Sequence, residues 1–512
     1  MKTMKTIAAG AVSVALVASL AACGGKPSGD AAPAAQGDGK SGKPMDITIT
    51  TIAFSAAPTG ELEGLKKIGE KFNVNLKINY IPANNITEKL NVLLASSDIT
   101  DVMFVEDFNT TPSFLNAIDK GAFWELTPHI KNYPNLSKYP QNVFDNASIK
   151  GKLYSLPRVR PLDGSEALLL RKDWLDKLGL QPPKTMDELY NVLTAFAKND
   201  PDGNGKADTY GLALFGSPGP AGYLISMFGA GTGWQKGADG SITPNWMTPQ
   251  AREAMQFWNK TFQSGGIVPD LPVMKSQQVR DMLVQGKAGA AITNVSDAYK
   301  FNQDLKKANP NANLVAYEIP KAADGKAHYE QAIGYYGQFL ISKKVSEEKL
   351  KRILEVYDYT ATEEGYNLGT YGIKDTDFTI GADGSVTQTE EGKKKGYSGD
   401  STGQWVTGYY NKYLRASVPG MSSDILEYNK KLVDTIAGQS EPNPEFGLPK
   451  SAPFKEKGAD WNKKINDMMI NVIIGKATIE DWDKFVKTMK DDPGYQSHIK
   501  EMNDSFKAKG QK

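Results

Sequence analysis

Hydrophobic residues occupy every second position in two stretches of the chain, a pattern typical of β-strands. In "DITITTIAF" the alternating residues include Ile47 and Ile49, and in "VNLKINYI" they include Val74 and Ile78. Residues 60–72, between these stretches, have hydrophobic positions at helical spacing instead. The pattern therefore predicts a strand, a helix and a second strand in this order.

The alternation of helices and strands continues along the chain. A helix is predicted over residues 85–95, and the apolar run "DVMFV" predicts a third strand over residues 101–105. Strands separated by helices favour a parallel sheet with right-handed crossovers. About 470 residues follow Met45, which is more than one hydrophobic core usually serves. We therefore predict an α/β fold with at least two lobes.

Helical patterns dominate the remainder of the sequence. Thr185 and Glu188 form the pattern of a capping box, and Thr248 with Pro249 begins a helix that extends to Gln263. Other predicted helices begin at Ser346 or cover residues 425–437, 459–474 and 479–490. The last three predict additional helices at the C-terminal end of the fold.

The first residues indicate export from the cell. Lys2 and Lys5 precede an apolar run that reaches Leu20, which is too short to span a membrane stably and predicts a signal peptide over residues 1–22. The motif "LAAC" ends at Cys23, the single cysteine of the chain, and resembles the lipobox of bacterial lipoproteins, in which this cysteine receives lipid. An ordinary signal peptide with an incidental cysteine is the alternative.

Composition and charge narrow the possible partners. Residues 23–45 are rich in Gly, Ala, Pro and Ser, so they predict a flexible tether between the lipid and the folded body. The expected location is the extracellular face of the cell membrane, with the lipid as anchor. A formal net charge of +1 at pH 7 argues against nucleic acid or an anionic membrane surface as a partner.

Four sequence blocks resemble the extracellular solute-binding lipoproteins of ABC importers. They are "GKLYSLP" at residues 151–157, "LLLRKDWLDKLGLQPPKTMDELYNVLTAF" at 168–196, "VQGKAGAAITN" at 284–294 and "TATEEGYNLG" at 360–369. The similarity is to the large members associated with oligosaccharides, including alginate-oligosaccharide binders. The resemblance implies a monomeric protein that captures a carbohydrate, expected to be an oligosaccharide, and delivers it to the transmembrane subunits of an ABC permease.

The same resemblance implies a periplasmic-binding-protein-like fold, in which a hinge joins two α/β lobes and the ligand lies between them. Crossings between the lobes are expected near residues 156–161, 315–320 and 365–372. The first lobe then comprises residues 46–158 with about 321–368, and the second comprises about 159–320 with 369–512. A hinged cleft suits a ligand because closure buries most of the ligand's surface.

The loop "DPDGNGKAD" places oxygen-bearing side chains at every second position around two glycines. Counted as an EF-hand, Asp200, Asp202 and Asn204 take positions 1, 3 and 5, and Asp208 takes position 9. The backbone carbonyl of Lys206 takes position 7. Hard oxygen ligands select Ca²⁺ over zinc or copper. We therefore predict a structural calcium site formed by these five residues.

Two positions of this loop depart from known calcium templates. Gly211 stands at position 12, where an EF-hand has a bidentate Glu. Thr209 stands where related sugar binders carry their last carboxylate. A solvated turn without a metal ion is the alternative, since Asp, Asn and Gly also form turns unaided.

Catalytic motifs are weak in this sequence. The stretch "GDSTG" has the spelling of a nucleophile elbow with Ser401 as nucleophile, but the polar run "EEGKKKGYS" precedes it, where an elbow needs a buried apolar strand. His129, His328 and His498 lie far apart and form no zinc signature. A glycoside hydrolase needs only two carboxylates. A membrane-anchored carbohydrate-active enzyme is therefore the alternative function, and a peptide or another solute is the alternative cargo.

Sugar sites combine aromatic platforms with planar hydrogen-bonding groups. Trp174, Trp258 and Trp482 fall within predicted helices, so we expect them in the core. Trp234 and Trp405 lie near glycines on predicted loops, where a ligand can approach. We predict both as platforms, and local packing of the loops is the alternative.

Other candidate ligand-binding residues lie at predicted strand ends. Tyr335 and Tyr336 begin an expected strand, where alternation would turn only one of them to the cleft. Asp107 and Asn109 follow the third strand, at the carboxyl edge where open α/β sheets usually place ligands.

The first crossing supplies three more candidates, Tyr154, Arg158 and Arg160. The two arginines share a face if the segment is extended. In that arrangement they would bind a uronate carboxylate in bidentate fashion. A salt bridge between the lobes is the equally favoured alternative.

Overall fold

The computed structural model describes residues 42–53, 62–106, 111–163, 166–214, 221–381, 384–397, 403, 406–418 and 420–510. Within these ranges, no helix has the length and apolar character needed to cross a membrane. Several predicted features lie outside the described residues: the signal peptide with Cys23, nearly all of the tether, Asp107, Asn109, Ser401 and Trp405.

Strands and helices alternate through the first half of the chain, and helices predominate near its end. The strands are β1 (Met45–Ala53), β2 (Val74–Pro82), β3 (Val102–Val105), β4 (Ser155–Val159), β5 (Glu166–Arg171), β6 (Tyr210–Ala213), β7 (Trp234–Lys236), β8 (Ile242–Pro244), β9 (Ala288–Asn294), β10 (Leu314–Tyr317), β11 (Tyr329–Glu330), β12 (Tyr335–Ile341), β13 (Phe378–Ile380), β14 (Val386–Gln388) and β15 (Ser440–Glu441). The helices are α1 (Glu63–Phe72), α2 (Ile86–Ser96), α3 (Pro112–Asp119), α4 (Thr127–Ile130), α5 (Gln141–Ala147), α6 (Lys172–Leu178), α7 (Met186–Lys198), α8 (Ala221–Ser226), α9 (Pro249–Gln263), α10 (Ser276–Val284), α11 (Asp297–Ala308), α12 (Glu347–Thr360), α13 (Glu363–Tyr371), α14 (Glu390–Lys394), α15 (Ser423–Ala437), α16 (Ala452–Ile473), α17 (Ile479–Asp491) and α18 (Pro493–Gly510).

Helix starts predicted from the sequence are confirmed. The side chains of Thr185, Thr248 and Ser346 each accept a hydrogen bond from the backbone N–H three residues later, at the starts of α7, α9 and α12. Such caps satisfy N–H groups that have no partner inside the helix. The predicted C-terminal helices are present as α15, α16 and α17.

The first sheet has the strand order β2-β1-β3-β12-β4. β1 is parallel to β2 and β3, as the alternating pattern predicted, but β12 is antiparallel to both β3 and β4. The sheet is therefore mixed rather than parallel. β12 pairs with strands that are far from it in sequence, and Phe339 lies opposite both Phe104 and Leu156. A pattern of neighbouring residues cannot predict such a pairing.

The second sheet has the order β10-β5-β9-β6. β5 is antiparallel to β9 and β10, and β6 is parallel to β9. Trp174 and Trp258 pack with this sheet, and Trp482 belongs to the same cluster of buried side chains. All three tryptophans are fully buried, which confirms their prediction as core residues.

Each of the two larger sheets has its own hydrophobic core, and three segments connect the cores. The chain passes from the first core to the second between Leu162 and Ala167, because these residues are buried in different clusters. It returns between Tyr329 and Tyr335, and it passes again to the second core between Tyr410 and Tyr413. Residues 163–166, 330–334 and 411–412 are therefore the crossings.

These crossings differ from the predicted boundaries of the lobes. The third crossing was predicted near residues 365–372, yet Leu368 of α13 packs against the first core, as do Tyr397 and Val406. Gly64 of α1 allows this packing, because a β-carbon at that position would collide with the backbone carbonyl of Leu368. We therefore assign the segment up to residue 410 to the first lobe. The first crossing lies a few residues later than predicted, and the second, at residues 330–334, lies later than the predicted 315–320.

Candidate functional site

Polar and aromatic residues gather at one edge of the first sheet. β3 and β4 are both antiparallel to β12, so the carboxyl ends of β3 and β4 meet the start of β12. Glu106 follows β3, Arg160 follows β4, and Tyr335 and Tyr336 begin β12. The backbone N–H of Arg160 donates to the carbonyl of Gly334 at 2.8 Å, which fixes the end of β4 beside the start of β12. We call this edge the first wall.

An edge of the second sheet supplies a comparable set of residues. β9 ends at Asn294, which lies opposite Glu166 at the start of β5. Arg415 donates from Nη1 to Oδ1 of Asn294 at 3.1 Å, and its own carbonyl accepts the N–H of Ser296. We call this edge, with Glu166, Asn294 and Arg415, the second wall. The first crossing lies between Leu162 of the first core and Ala167 of the second, so it separates β4 of the first wall from β5 of the second.

Tyrosine rings are concentrated at the first wall. Tyr336 stacks on Phe104, with ring centroids 6.5 Å apart, and its hydroxyl donates to the Glu106 carboxylate. The rings of Tyr371 and Tyr409 both contact the ring of Tyr366. Tyrosines present an apolar face and a hydroxyl together, which is the combination that a sugar ring requires.

The two walls are close enough for their charges to interact. Burial lowers the pKa of Arg160 to about 10, and the Arg415 charge contributes to the lowering. Burial also holds the pKa of Arg158 well below its usual range, with contributions from Arg160 and Arg415. The three guanidinium groups therefore share one region, although Arg415 belongs to the second wall.

The pKa values of two carboxyl groups at the second wall and beside it are raised. Burial raises the pKa of Glu166, although its side chain is accessible to solvent. Burial, with the nearby Glu166 charge, raises the pKa of Glu330 to about 7. Strongly shifted carboxyl groups inside a cleft are typical of functional sites.

A cavity of about 270 Å³ lies between elements of the two cores. Glu106 and Tyr335 line it from the first wall, and Phe446 and Lys450 line it from the segment before α16. A larger cavity of about 550 Å³ lies on the first core alone, beside α12. The smaller cavity is the one that touches the wall residues, so we take it as part of the candidate site.

The tyrosine pair at the start of β12 departs from simple alternation. The strand pairing shifts between Tyr335 and Gln338, and Gly337 has a φ of 73°, which an L side chain rarely adopts. This bulge leaves both tyrosines half-buried at the wall. Tyr335 lines the cavity and donates to the carbonyl of Asn146 at 3.3 Å. Tyr336 is not among the residues that line the cavity, so the expectation that only one of the two tyrosines faces the cleft stays a prediction.

Other predicted residues have mixed outcomes. Tyr154 is half-buried before β4 and packs against the first core. Arg158 is fully buried, and Arg160 is half-buried. Arg158 lies on β4 and Arg160 directly follows it, so both arginines lie near the first crossing.

The prediction that Trp234 lies on an open loop is wrong. Trp234 begins β7, is only 5% exposed and packs edge-on against His498, with ring centroids 5.4 Å apart. Ile242 and Met502 complete the small hydrophobic cluster. α18 covers the ring. Because α18 is more than 250 residues further along the chain, the residues around Trp234 could not predict that the ring would be buried.

The predicted calcium loop has a well-defined hydrogen-bond pattern. The N–H groups of residues 203–205 donate to the Asp200 carboxylate at 3.0 Å each, and the Asn204 amide donates to Asp202 at 2.8 Å and to Asp208 at 3.0 Å. Lys287 pairs with Asp208 at 2.7 Å. Among the described residues, no three His, Cys, Asp or Glu side chains converge on a point that could hold a metal ion.

The donor chemistry of this loop nevertheless suits a hard cation. Burial and the adjacent Asp200 carboxyl raise the pKa of Asp202. Burial acts in the same direction on Asp200, but the N–H donors outweigh it and lower that pKa. Thr209, which stands in place of a carboxylate, is buried and its hydroxyl donates to the carbonyl of Phe196 at 2.8 Å. The loop thus gathers more negative charge than Lys287 alone neutralises.

Sequence reasoning missed several wall residues. Glu106 directly follows the predicted third strand, so the carboxyl-edge rule that selected Asp107 also applied to it. Asn294 ends the block "VQGKAGAAITN", which carried part of the family resemblance. Glu166, Glu330 and Arg415 carry no local pattern, because their proximity depends on where the chain crosses between the cores.

Comparisons with known proteins identify the family. Residues 56–367 match the bacterial extracellular solute-binding proteins. The polygalacturonan/rhamnogalacturonan-binding protein YtcQ of Bacillus subtilis (strain 168) is 31% identical over 482 residues, covering 92% of this chain and 93% of that protein.

Solved structures agree in fold. The substrate-binding protein FusA of Streptococcus pneumoniae, solved with kestose, has a TM-score of 0.70 at 19% identity and covers 91% of this chain and 100% of its own. The alginate-binding protein AlgQ2, solved without calcium ion, has a TM-score of 0.69 at 18% identity and covers 91% of this chain and 98% of its own. These likenesses confirm the predicted two-lobed, periplasmic-binding-protein-like fold. The chain belongs to the bacterial extracellular solute-binding proteins, a family of binding proteins and not of enzymes.

Proposed function

We propose that this protein captures an oligosaccharide between its two walls and delivers it to an ABC permease. The observation that carries the proposal is the meeting of tyrosine rings with hydrogen-bonding groups at two facing sheet edges. Tyr335, Tyr336 and Arg160 contribute from the first wall, and Asn294 and Arg415 contribute from the second. Sugars need such a combination because their C–H faces are apolar and their rims are lined with hydroxyls.

A position between two connected lobes also suits delivery. A ligand that contacts both walls binds the closed arrangement better than the open one, so binding favours closure. A permease can then distinguish the loaded protein from the empty one by shape. YtcQ is named for polygalacturonan and rhamnogalacturonan, and FusA is solved with kestose, and these names support carbohydrate as the cargo class.

Lipid attachment at Cys23 would keep the protein beside its permease. The tether of residues 23–45 would allow the folded body to move a few tens of Å from the membrane, at about 5–6 Å times the square root of its length. A lipid-anchored monomer that moves in this way can collect ligand and still reach the transmembrane subunits.

Calcium would act as a brace for the loop after α7. The oxygens of Asp200, Asp202, Asn204 and Asp208, with the Lys206 carbonyl, form the ligand set. The ion would relieve the unfavourable proximity of the Asp200 and Asp202 carboxyl groups. We assign this role as structural because none of the loop residues belongs to either wall.

Direct binding measurements test the function. Purified protein is screened by thermal shift against oligosaccharides and, for the alternative cargo, peptides, since a ligand at 100 times its Kd stabilises the folded state by about 2.7 kcal/mol. Tyr336→Ala should weaken sugar binding, because the ring's apolar face and its hydroxyl are both lost. Tyr428→Ala is the matched control, because Tyr428 is exposed on α15 outside the walls.

Two outcomes would contradict the proposal. The first is the absence of stabilisation by every carbohydrate in a screen that includes acidic and neutral oligosaccharides. The second is sugar cleavage, detected by product analysis, which would instead favour the carbohydrate-active enzyme considered from the sequence.

A further inference from the structure

The two lobes also touch at a point away from the three crossings. Residues 443–450, which we call the strap, connect β15 to α16 and form neither a helix nor a strand. Gly447 of the strap has a φ of 72°, and a β-carbon added there would lie only 2.8 Å from the carbonyl oxygen of Asp145. Asp145 belongs to α5, which packs in the first core. The strap therefore passes directly against the first lobe.

The strap itself is fixed to α18, a helix that packs in the second core. Lys509 of α18 donates from Nζ to the carbonyl of Phe446 at 2.7 Å, and Leu448 packs in the small hydrophobic cluster that α18 covers. Just after the strap, the Ser451 hydroxyl lies 2.8 Å from Nδ1 of His498. These contacts attach the strap to the second lobe, so it should move with that lobe when the lobes separate.

The strap forms one side of the cavity between the lobes. Phe446 lines this cavity from the strap, and Glu106 and Tyr335 line it from the first wall. Asn146, which follows Asp145 at the end of α5, lines it as well. Because the strap and α5 touch each other and both line the cavity, they form a continuous boundary on this side. A ligand that lies between the lobes cannot continue past this boundary while the contact is made.

The cavity beside the strap is small. Its volume of about 270 Å³ is below the range of about 300–1,000 Å³ that is typical of sites for small molecules. It therefore has room for the end of an oligosaccharide but not for a whole chain. The remainder of a bound chain would extend from the cavity along the two walls.

Three strap side chains that line the cavity suit a sugar ring. Phe446 supplies an apolar aromatic face. Glu445 and Lys450 form an ion pair, and their side chains are only 18% and 23% exposed. This pair leaves further hydrogen-bonding positions, since an ammonium group has three N–H donors and a carboxylate has about four lone-pair sites. An aromatic face beside such groups matches the C–H face and the hydroxyl rim of a sugar.

We infer that the strap closes one end of the cleft, so that the protein binds an oligosaccharide by a chain end, with the terminal sugar ring against Phe446. The inference rests on the proposed function and specifies which part of the ligand is recognised. An internal segment of a longer chain would need an exit where Gly447 meets Asp145, and the contact between them closes that exit. The strap is therefore a specificity-determining segment.

Chains of different length test the inference on the wild-type protein. The affinity per mole of chain is measured by calorimetry for galacturonan, which is acidic, and galactan, which is neutral, each as a trisaccharide, a hexasaccharide and a polymer. If the protein binds a chain end, the affinity should stop rising once the chain fills the site. If it bound internal segments, the affinity would keep rising up to the polymer, because a longer chain offers more positions at which to bind.

Hexasaccharides with a bulky substituent at one end are the second probe. One set carries the substituent at the reducing end, and the other set carries it at the nonreducing end. The substituent at the end that enters the cavity should weaken binding about 10- to 100-fold, because the terminal ring can no longer be buried against Phe446. The substituent at the other end should have little effect, because that end lies outside the cavity.

Variants connect the effect to the strap. Phe446→Ala should weaken binding of the unmodified hexasaccharide about 10- to 100-fold, and Phe446→Tyr should retain most of the affinity because the ring remains. Gly447→Ala forces the strap away from Asp145, so it should reduce the penalty for the chain with a blocked end. Gly240→Ala is the matched control, since Gly240 has a φ of 78° but a β-carbon there would meet no atom within 4 Å. Melting curves of each variant identify any loss of folding.

A wild-type affinity that keeps rising up to the polymer, or that is indifferent to a bulky substituent at both ends, would overturn the inference and leave the proposed function intact. A preference for chain ends that survives both Phe446→Ala and Gly447→Ala would overturn the assignment of this preference to the strap. Failure of every acidic and neutral oligosaccharide to bind would overturn the proposed function as well.

Discussion

Replacement of Trp234 by Ala distinguishes a core residue from a sugar platform. The ring is 5% exposed and packs with His498, Ile242 and Met502, so its removal leaves a cavity rather than an open surface. A buried Trp removes about 150–250 Å² from water. At about 25 cal/mol per Å² this corresponds to about 4–6 kcal/mol. Partial relaxation around the cavity reduces the expected loss of unfolding free energy to about 3–5 kcal/mol.

The assay is chemical denaturation of the wild type, Trp234→Ala and Trp234→Phe, with ligand affinity measured on the folded proteins. Trp234→Phe keeps an aromatic ring in the cluster, so its loss of stability should be smaller. Affinity should change little in both variants because the ring does not reach the walls. A Trp234→Ala protein with unchanged stability and strongly reduced affinity would refute the reasoning and restore Trp234 as a platform.

Further predictions concern acid stability, calcium and the membrane anchor. His498 is buried, and burial lowers its pKa to about 4, below the value of about 6.5 that it has in the unfolded chain. As the pH is lowered from about 6.5 to about 4, the unfolded chain therefore binds a proton that the folded protein does not bind. The free energy of unfolding should decrease by about 1.4 kcal/mol per pH unit over this range. Denaturation of His498→Gln across this range should lack that part of the slope, while His129→Gln should retain it. A chelator should lower the melting temperature of the wild type but not of Asp202→Ala, and a melting curve indifferent to both chelator and added calcium would contradict the site. Cys23→Ser should release the protein from membranes, and unchanged membrane retention would contradict lipid attachment.

Local patterns predicted the parts of the fold that depend on neighbouring residues. β1, β2 and β3 were recognisable because each faces a core with alternating or continuous apolar residues. The caps at Thr185 and Thr248 were recognisable because a cap and its partner N–H lie three residues apart.

Long-range contacts account for what the sequence did not predict. The antiparallel position of β12 depends on strands more than 170 residues away. Trp234 was assigned to an open loop because α18, which covers it, follows much later in the chain. Arg415 belongs to the second wall because it contacts Asn294, 121 residues before it in the sequence. The periodicity of a single sequence gives no information on such a contact.

Solution scattering with and without ligand tests the central claim most directly. If an oligosaccharide binds between the two walls and contacts both, the radius of gyration should decrease at saturating ligand, because closure brings the lobes together. The decrease should disappear in Tyr336→Ala at a concentration of oligosaccharide that saturates the wild type but not the variant. Tight sugar binding with an unchanged radius of gyration would contradict a ligand site between the lobes.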